Sequence, residues 1–177
     1  MKITKKRIKW AEDKGACKKG INQAKKMIGR DVNDLNPEYR SWVMVHRKDC
    51  PIDLKGMSPY HRAWVMVERL DCPINLEGLT AYHRAWVMMR RPDCLIDLEG
   101  LTPYQRTGVM IQREDCPINL EGLASHHRTR VMIHRKDCPI DLKGLTAKER
   151  DWVISNRPDY RDWVMRNRPD YKLKTTS

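Results

Sequence analysis

The chain has 177 residues, a third of them charged, and a formal net charge of +12 at pH 7. Its apolar runs fall far short of the ~20 residues that a bilayer-spanning helix needs, and the opening MKITKKRIKW is basic without the apolar stretch of a secretion signal. Membrane-spanning and secreted classes are thereby set aside, and a cytoplasmic chain is the expectation.

Residues 1–36 read as a basic helical module. Residues 1–30 hold eleven Lys and Arg side chains against Glu12 and Asp13 alone, whereas the rest of the chain is nearly balanced, with 24 basic and 21 acidic side chains. Ile3, Ile8, Ala11, Ile21, Ala24 and Ile28 recur as a rough apolar stripe amid the lysines, which predicts one or two helices over 2–29; Gly15 and Gly20 weaken a single long one. Attraction to RNA, DNA or an acidic protein should reside in this module, with Lys5, Lys6, Arg7, Lys9, Lys18, Lys19, Lys25 and Lys26 as the candidate nucleic-acid-binding residues. Asn36 before Pro37 predicts an N-cap followed by a first-turn proline.

Residues 37–146 are five near-copies of one 22-residue unit: Pro37 to Ser58, Pro59 to Thr80, Ala81 to Thr102, Pro103 to Ala124 and Ser125 to Thr146, with YHRAWVM verbatim at Tyr60 and Tyr82. Such a period implies a solenoid whose units bury their apolar faces against their neighbours. Ser58 and Thr102 stand before Pro59 and Pro103 as N-caps, so the first half of each unit predicts a helix of about 11 residues, such as Pro59 to Arg69. The runs AWVMV, TGVMI and TRVMI are rich in β-branched residues and admit short strands, but the capping residues favour helix. The second half is too short for an ordinary helix and predicts a 3₁₀ turn, a short helix or an extended piece. Gly56, Gly78, Gly100, Gly122 and Gly144 fall at one position of it and suit a positive φ or a close backbone approach. Ile52, Leu54, Met57 and their equivalents Ile74, Leu76 and Leu79 are the expected inward contacts.

Residues 147–177 change period. Arg150 to Tyr160 is followed at once by its copy Arg161 to Tyr171, an 11-residue spacing that keeps the helix and drops the second half. This predicts a C-terminal cap over 147–171 and a frayed tail from 172.

Read by column, the cysteines Cys50, Cys72, Cys94, Cys116 and Cys138 lack the close pairing of structural zinc sites, and helices stacked ~8–10 Å apart would not bring them to bridging distance. A small buried residue between repeats is the expectation. Arginine recurs at two columns, one running from Arg40 to Arg150 and one from Arg47 to Arg157. They offer either a basic stripe for a phosphate backbone or, the stronger reading, ion pairs with the aspartates two residues after the second arginine, Asp49 to Asp159. The tryptophan column Trp42, Trp64, Trp86 continues as Gly108 and Arg130. Because a buried site would not accept arginine cheaply, the column is expected to be at least half exposed. With Tyr60, Tyr82 and Tyr104 it forms the candidate partner-binding strip. The histidines vary with Tyr, Gln, Glu, Lys and Arg, which points to solvent. No phosphate loop, catalytic triad or carboxylate pair confined to one unit is present, so no catalytic residue, metal site or cofactor is expected.

The positions of Arg84, Val87, Arg91, Pro92, Leu98 and Leu101 resemble the leucine-rich repeat variant pattern of bacterial proteins, over about residues 37 to 171. That resemblance implies repeats alternating an α-helix with a shorter 3₁₀-type helix. The unit here is two residues shorter than usual in that pattern. One member of that family holds an iron–sulfur cluster through a separate cysteine cluster, but the N-terminal module here has Cys17 alone, so no cluster is carried over. The segment Gly15 to Gly20 resembles the start of many bacterial and phage proteins. The expected fold is therefore an all-α or mostly α repeat solenoid, with an α/β leucine-rich-repeat-like solenoid as the alternative. The expected function is a non-enzymatic module binding a protein or nucleoprotein, such as a phage-encoded inhibitor or adaptor on a host complex; nucleic-acid binding through the basic module is the alternative.

Overall fold

The computed structural model describes residues 1–167. It is an all-α repeat solenoid with one helix per unit of about 22 residues. The helices are α1 (Lys5–Asp13), α2 (Lys18–Lys26), α3 (Pro37–His46), α4 (Pro59–Glu68), α5 (Ala81–Arg90), α6 (Pro103–Gln112), α7 (Ser125–His134), α8 (Ala147–Asn156) and α9 (Pro158–Asn167), with a 3₁₀ turn at Val32–Asp34. Extended pairing among the described residues is limited to one isolated bridge, Lys2 with Asp31. The α/β alternative is overturned: the β-branched runs at 63–67, 107–111 and 129–133 lie inside α4, α6 and α7.

The starts of the helices follow from their caps. Asn36, Ser58, Thr80, Thr102 and Thr146 each accept a first-turn N–H with the side-chain oxygen, and Pro37, Pro59 and Pro103 occupy the first turn. Ala124 is the exception, since its methyl offers α7 no such bond. After each of α3 to α7 the chain makes a tight turn, as where the Cys72 N–H donates to the Arg69 carbonyl at 2.9 Å. It then runs without regular structure to a second turn. There the repeat glycines have φ between +67° and +71°, a conformation that a Cβ penalises. The second half of the described repeats is thus two turns and an irregular connector, with no 3₁₀ helix between them.

The chain divides into two compact units, Met1–Cys94 and Leu95–Ser177. In the first, α3, α4 and α5 pack side by side. Ala63, Val65 and Met66 of α4 have no exposed surface, and Met44 of α3 and Val87 and Met88 of α5 repeat that pattern. Each such Val or Met contributes about 1.5–3 kcal/mol by leaving water. Met57 and Leu79 are buried as expected, but Ile52, Leu54, Ile74 and Leu76 are only half-buried, because the connector lies at the edge of the helix layer. At the N-terminal end α1 packs on α2 across a turn at Gly15 (φ +78°). Gly20 does not break α2; it lets that helix approach Tyr39, whose ring carbon Cδ1 would lie 3.0 Å from any Cβ there. In the second unit α6 to α9 bury Val109, Met110, Val131, Met132, Val153 and Ile154. A single residue, Arg157, separates α8 from α9. The end of the last 11-residue copy and the tail from 172 lie outside the described residues.

The second arginine column joins the repeats. Arg69, 4% exposed, donates through Nη1 to the carbonyls of Met44 (2.7 Å), Arg47 (3.0 Å) and Cys50 (3.3 Å), and through Nη2 to that of Lys48 (3.1 Å). These are carbonyls at and just beyond the end of α3, where a helix leaves its last carbonyls short of partners and its dipole also favours a cation; the Arg47 carbonyl accepts the Cys50 N–H as well. Nε and Nη2 meanwhile grip both oxygens of Asp71 at 2.7 Å. Arg91 does the same for the end of α4, Arg135 for α6 and Arg157 for α7. The ion pairs with aspartate are present, but their main effect is to orient guanidinium groups that cap the preceding helix. In the first arginine column Arg40, Arg62, Arg106 and Arg128 are directed at the glycine turn of their own unit. Arg62 donates to the Glu77 carbonyl (2.7 Å) and Arg128 to that of Lys143 (2.9 Å), and Arg40 reaches the Lys55 carbonyl. These guanidinium groups are spent on backbone within the array, which corrects the reading of the columns as a stripe that tracks phosphates.

Candidate interaction surface

With methionine, valine, cysteine and the second arginine column turned inward, the tyrosines are left outside. Tyr60, Tyr82 and Tyr104 are 53%, 63% and 67% exposed, each in the first turn of its helix. The tryptophans beside them differ from expectation. Trp42, Trp64 and Trp86 are only half-buried, whereas Trp152 and Trp163 at the same position of later helices are 46% and 50% exposed. The tolerance for arginine in this column has another cause. Tyr60 of one repeat stacks on Trp86 of the next, with ring centroids 6.0 Å apart, and Tyr104 stands in the same relation to Arg130, whose guanidinium lies 5.9 Å from the ring. A cation over an aromatic face replaces one aromatic pair by another favourable contact, so arginine there does not report a bare surface.

The histidines are likewise not simply solvated. His61 and His83 fill the third helical position and place Nδ1 2.9 and 2.7 Å from the hydroxyls of Ser58 and Thr80. Gln105 and Glu149 at that position close capping boxes. This variable column is therefore a capping column. His127 is half-buried, its Nδ1 has no hydrogen-bond partner among the described residues, and burial together with His126 and Arg130 pushes its pKa below the ordinary histidine value.

The basic module divides into paired and unpaired charges. Lys9 meets Asp13 and Lys25 meets Glu12, both at 2.8 Å, so the two carboxylates of residues 1–30 are engaged. Arg7 donates to the Lys2 carbonyl at 2.5 Å. Lys5, Lys6, Lys18, Lys19 and Lys26 are exposed. Where this module meets α3 and α4, a cleft of about 300 Å³ is walled by Ala16, Cys17, Tyr39, Trp42, Trp64 and their neighbours. Trp42 is wedged between the His46 ring, stacked at 4.2 Å, and Trp10 at 5.7 Å. Neither the cleft nor the role of Trp10 was legible from repeat columns, because both arise where the non-repeating module meets the repeats.

The five repeat cysteines are 1–2% exposed, and burial pushes the Cys50, Cys72, Cys116 and Cys138 thiols above the ordinary range. Cys17 is the exposed thiol. No group of three or more His, Cys, Asp or Glu side chains able to hold a metal ion occurs among the described residues. No described helix is long and apolar enough to cross a membrane.

The class these features define is a helix-packed repeat scaffold. Against models of known protein families, curated proteins and solved structures, the chain shows no match. Its likeness to leucine-rich repeat variants thus extends to a solenoid of helical units, and the second half of the unit departs from the 3₁₀-type helix which that likeness implied.

Proposed function

We propose that this chain is a non-enzymatic scaffold that docks on a protein or nucleoprotein through exposed aromatic side chains: Tyr60 and Tyr82, with Trp42, Trp64 and Trp86 beside them, in the first unit, and Tyr104 in the second. The observation that carries this reading is the exposure of three tyrosines at one position of three successive repeats. Tyrosine and tryptophan give large contact area at little cost in side-chain entropy and are enriched among residues that dominate binding energy. An inhibitor or adaptor seated on a host complex is the role that such exposed aromatic side chains would serve. The test is affinity capture with the wild-type chain and with a Tyr60→Ala, Tyr82→Ala, Tyr104→Ala variant. A stoichiometric partner should be recovered by the first and lost by the second; equal recovery by both rejects the strip.

A second reading, nucleic-acid binding, draws on the exposed Lys5, Lys6, Lys18, Lys19 and Lys26. It requires an affinity for RNA or DNA that falls steeply with salt and vanishes when Lys5, Lys6, Arg7 and Lys9 are neutralised. Weak binding with a flat salt response would reject it.

A further inference from the structure

We infer that the cleft between the α1–α2 turn and the α3–α4 face is a docking site for an acidic segment of a partner protein. One bulky apolar side chain of that segment enters among Tyr39, Trp42 and Trp64, and its carboxylates meet Lys14, Lys18 and Lys19. This rests on the scaffold reading above but uses a different surface.

The cleft measures about 300 Å³, the small end of ligand-sized pockets, and suits one large side chain. Its floor is apolar, from Ala24, Ile21 and Leu35, and its far wall is aromatic. Its near edge is the α1–α2 turn, where Gly15, Cys17 and Gly20 line the cleft and Lys14, Lys18 and Lys19 alternate with them in sequence, all three exposed. The charge on this edge is not neutralised from within the module, since Glu12 and Asp13 are held by Lys25 and Lys9, Asp31 by the N-terminal ammonium, and Asp34 closes the cap of the 3₁₀ turn. The first turn of α2 adds the partial positive charge of a helix start. An occupant that is apolar at its centre and anionic on one flank complements both features. Glu38, on the α3 wall, repels a carboxylate on the opposite flank and so sets the direction in which the segment lies.

The state of Trp42 argues for a side-chain anchor over a nucleic-acid base. Stacking of a base needs a free ring face, but Trp42 already stacks on His46 and is flanked by Trp10. With its faces so engaged Trp42 is a poor platform for a base, whereas an aliphatic or aromatic side chain also packs against tilted and edge-on rings.

The test pans a displayed library of short random peptides against the full chain. Enriched peptides should be acidic and carry Trp, Phe or Leu, and they should slow alkylation by N-ethylmaleimide of Cys17, the exposed thiol in the cleft wall. Replacing the apolar anchor of such a peptide by alanine should weaken it by about 10- to 100-fold. Ala16→Phe, which fills the cleft, should abolish binding; Lys18→Glu with Lys19→Glu, at exposed positions that leave the fold intact, should abolish it as well. Failure to enrich any peptide, enrichment of neutral or basic ones, acidic peptides that leave Cys17 alkylation unchanged, or a single-stranded oligonucleotide that shields Cys17 where peptides do not would each overturn the inference. If a partner captured through the tyrosines remains bound to the cleft variants, the cleft inference fails and the scaffold reading stands. If capture is lost in the cleft variants and kept in the tyrosine variant, the cleft stands as the docking site and the tyrosine strip fails.

Discussion

Replacing Arg69 by methionine removes the guanidinium that spans the junction between the first two repeats. The side chain is 4% exposed and donates to the carbonyls of Met44, Arg47, Lys48 and Cys50. A buried polar group left unsatisfied costs about 1–3 kcal/mol, and breaking one side of a buried charged network about 3–5 kcal/mol. The Arg47 carbonyl keeps the Cys50 N–H as a donor, and methionine retains most of the apolar volume, so a loss of about 3–4 kcal/mol is expected. Arg62→Met, at a half-buried position with two carbonyl partners, should cost about 1 kcal/mol. Arg69→Lys should fall between, because an ammonium cannot reproduce the planar fork. Urea unfolding supplies the stabilities, and hydrogen exchange resolved by peptide should show lost protection at residues 44–50. Asp71, whose side chain is largely exposed, only orients the clamp, so Asp71→Asn should cost much less than Arg69→Met. Equal losses for the two would mean that the ion pair, and not the carbonyl clamp, joins the repeats, and an Arg69→Met protein as stable as Arg62→Met would refute the clamp itself.

Ala124→Thr should stabilise the chain by about 1 kcal/mol, since the backbone there has the same extended conformation as the threonine caps (φ −62°, ψ 156°) and lacks only the hydroxyl; an unchanged thermal midpoint would count against the capping account. Hydrogen bonds from Arg69 hold the Asp71 carboxylate at about 2, below its ordinary 3.8, and Asp49, Asp115, Asp137 and Asp159 are lowered in the same way. A depressed folded-state pKa gives stability that is complete above the unfolded value and lost as pH falls through the folded one. The thermal midpoint should therefore be level above about pH 5 and drop between about pH 4 and pH 2, whereas a drop confined to pH 6–7 would point to the histidines instead. In a thiol titration of the native protein only Cys17 should react promptly, with the remaining five cysteines reacting after unfolding; prompt reaction of a second thiol would contradict the burial of the cysteine column.

The helical halves of the repeats were legible because their signals are local. Ser58 and Thr102 before proline, and a glycine at one position in every unit, each imply a backbone conformation without reference to the rest of the chain. The clamp was only half legible. Aspartate two residues after arginine can be read from the chain, but the backbone carbonyls of the previous repeat carry no sequence signature, so the arginines read first as an ion-pair ladder. Arg130 misled for a related reason: its partner, Tyr104, lies 26 residues away, and without it arginine in a tryptophan column looks like exposure. The cleft depends on how a non-repeating module meets the first repeat, and periodicity has no bearing on such a junction.

Because Arg69, Arg91, Arg135 and Arg157 each close the helix of the unit before them, a copied or excised segment of 22 residues carries with it half of one junction and finds the matching half already in place. Array length can then change by whole units in a single recombination event without a new interface having to be selected. The successive verbatim YHRAWVM elements are the kind of trace that such a history leaves, and variation in repeat number among relatives would be its plainest signature.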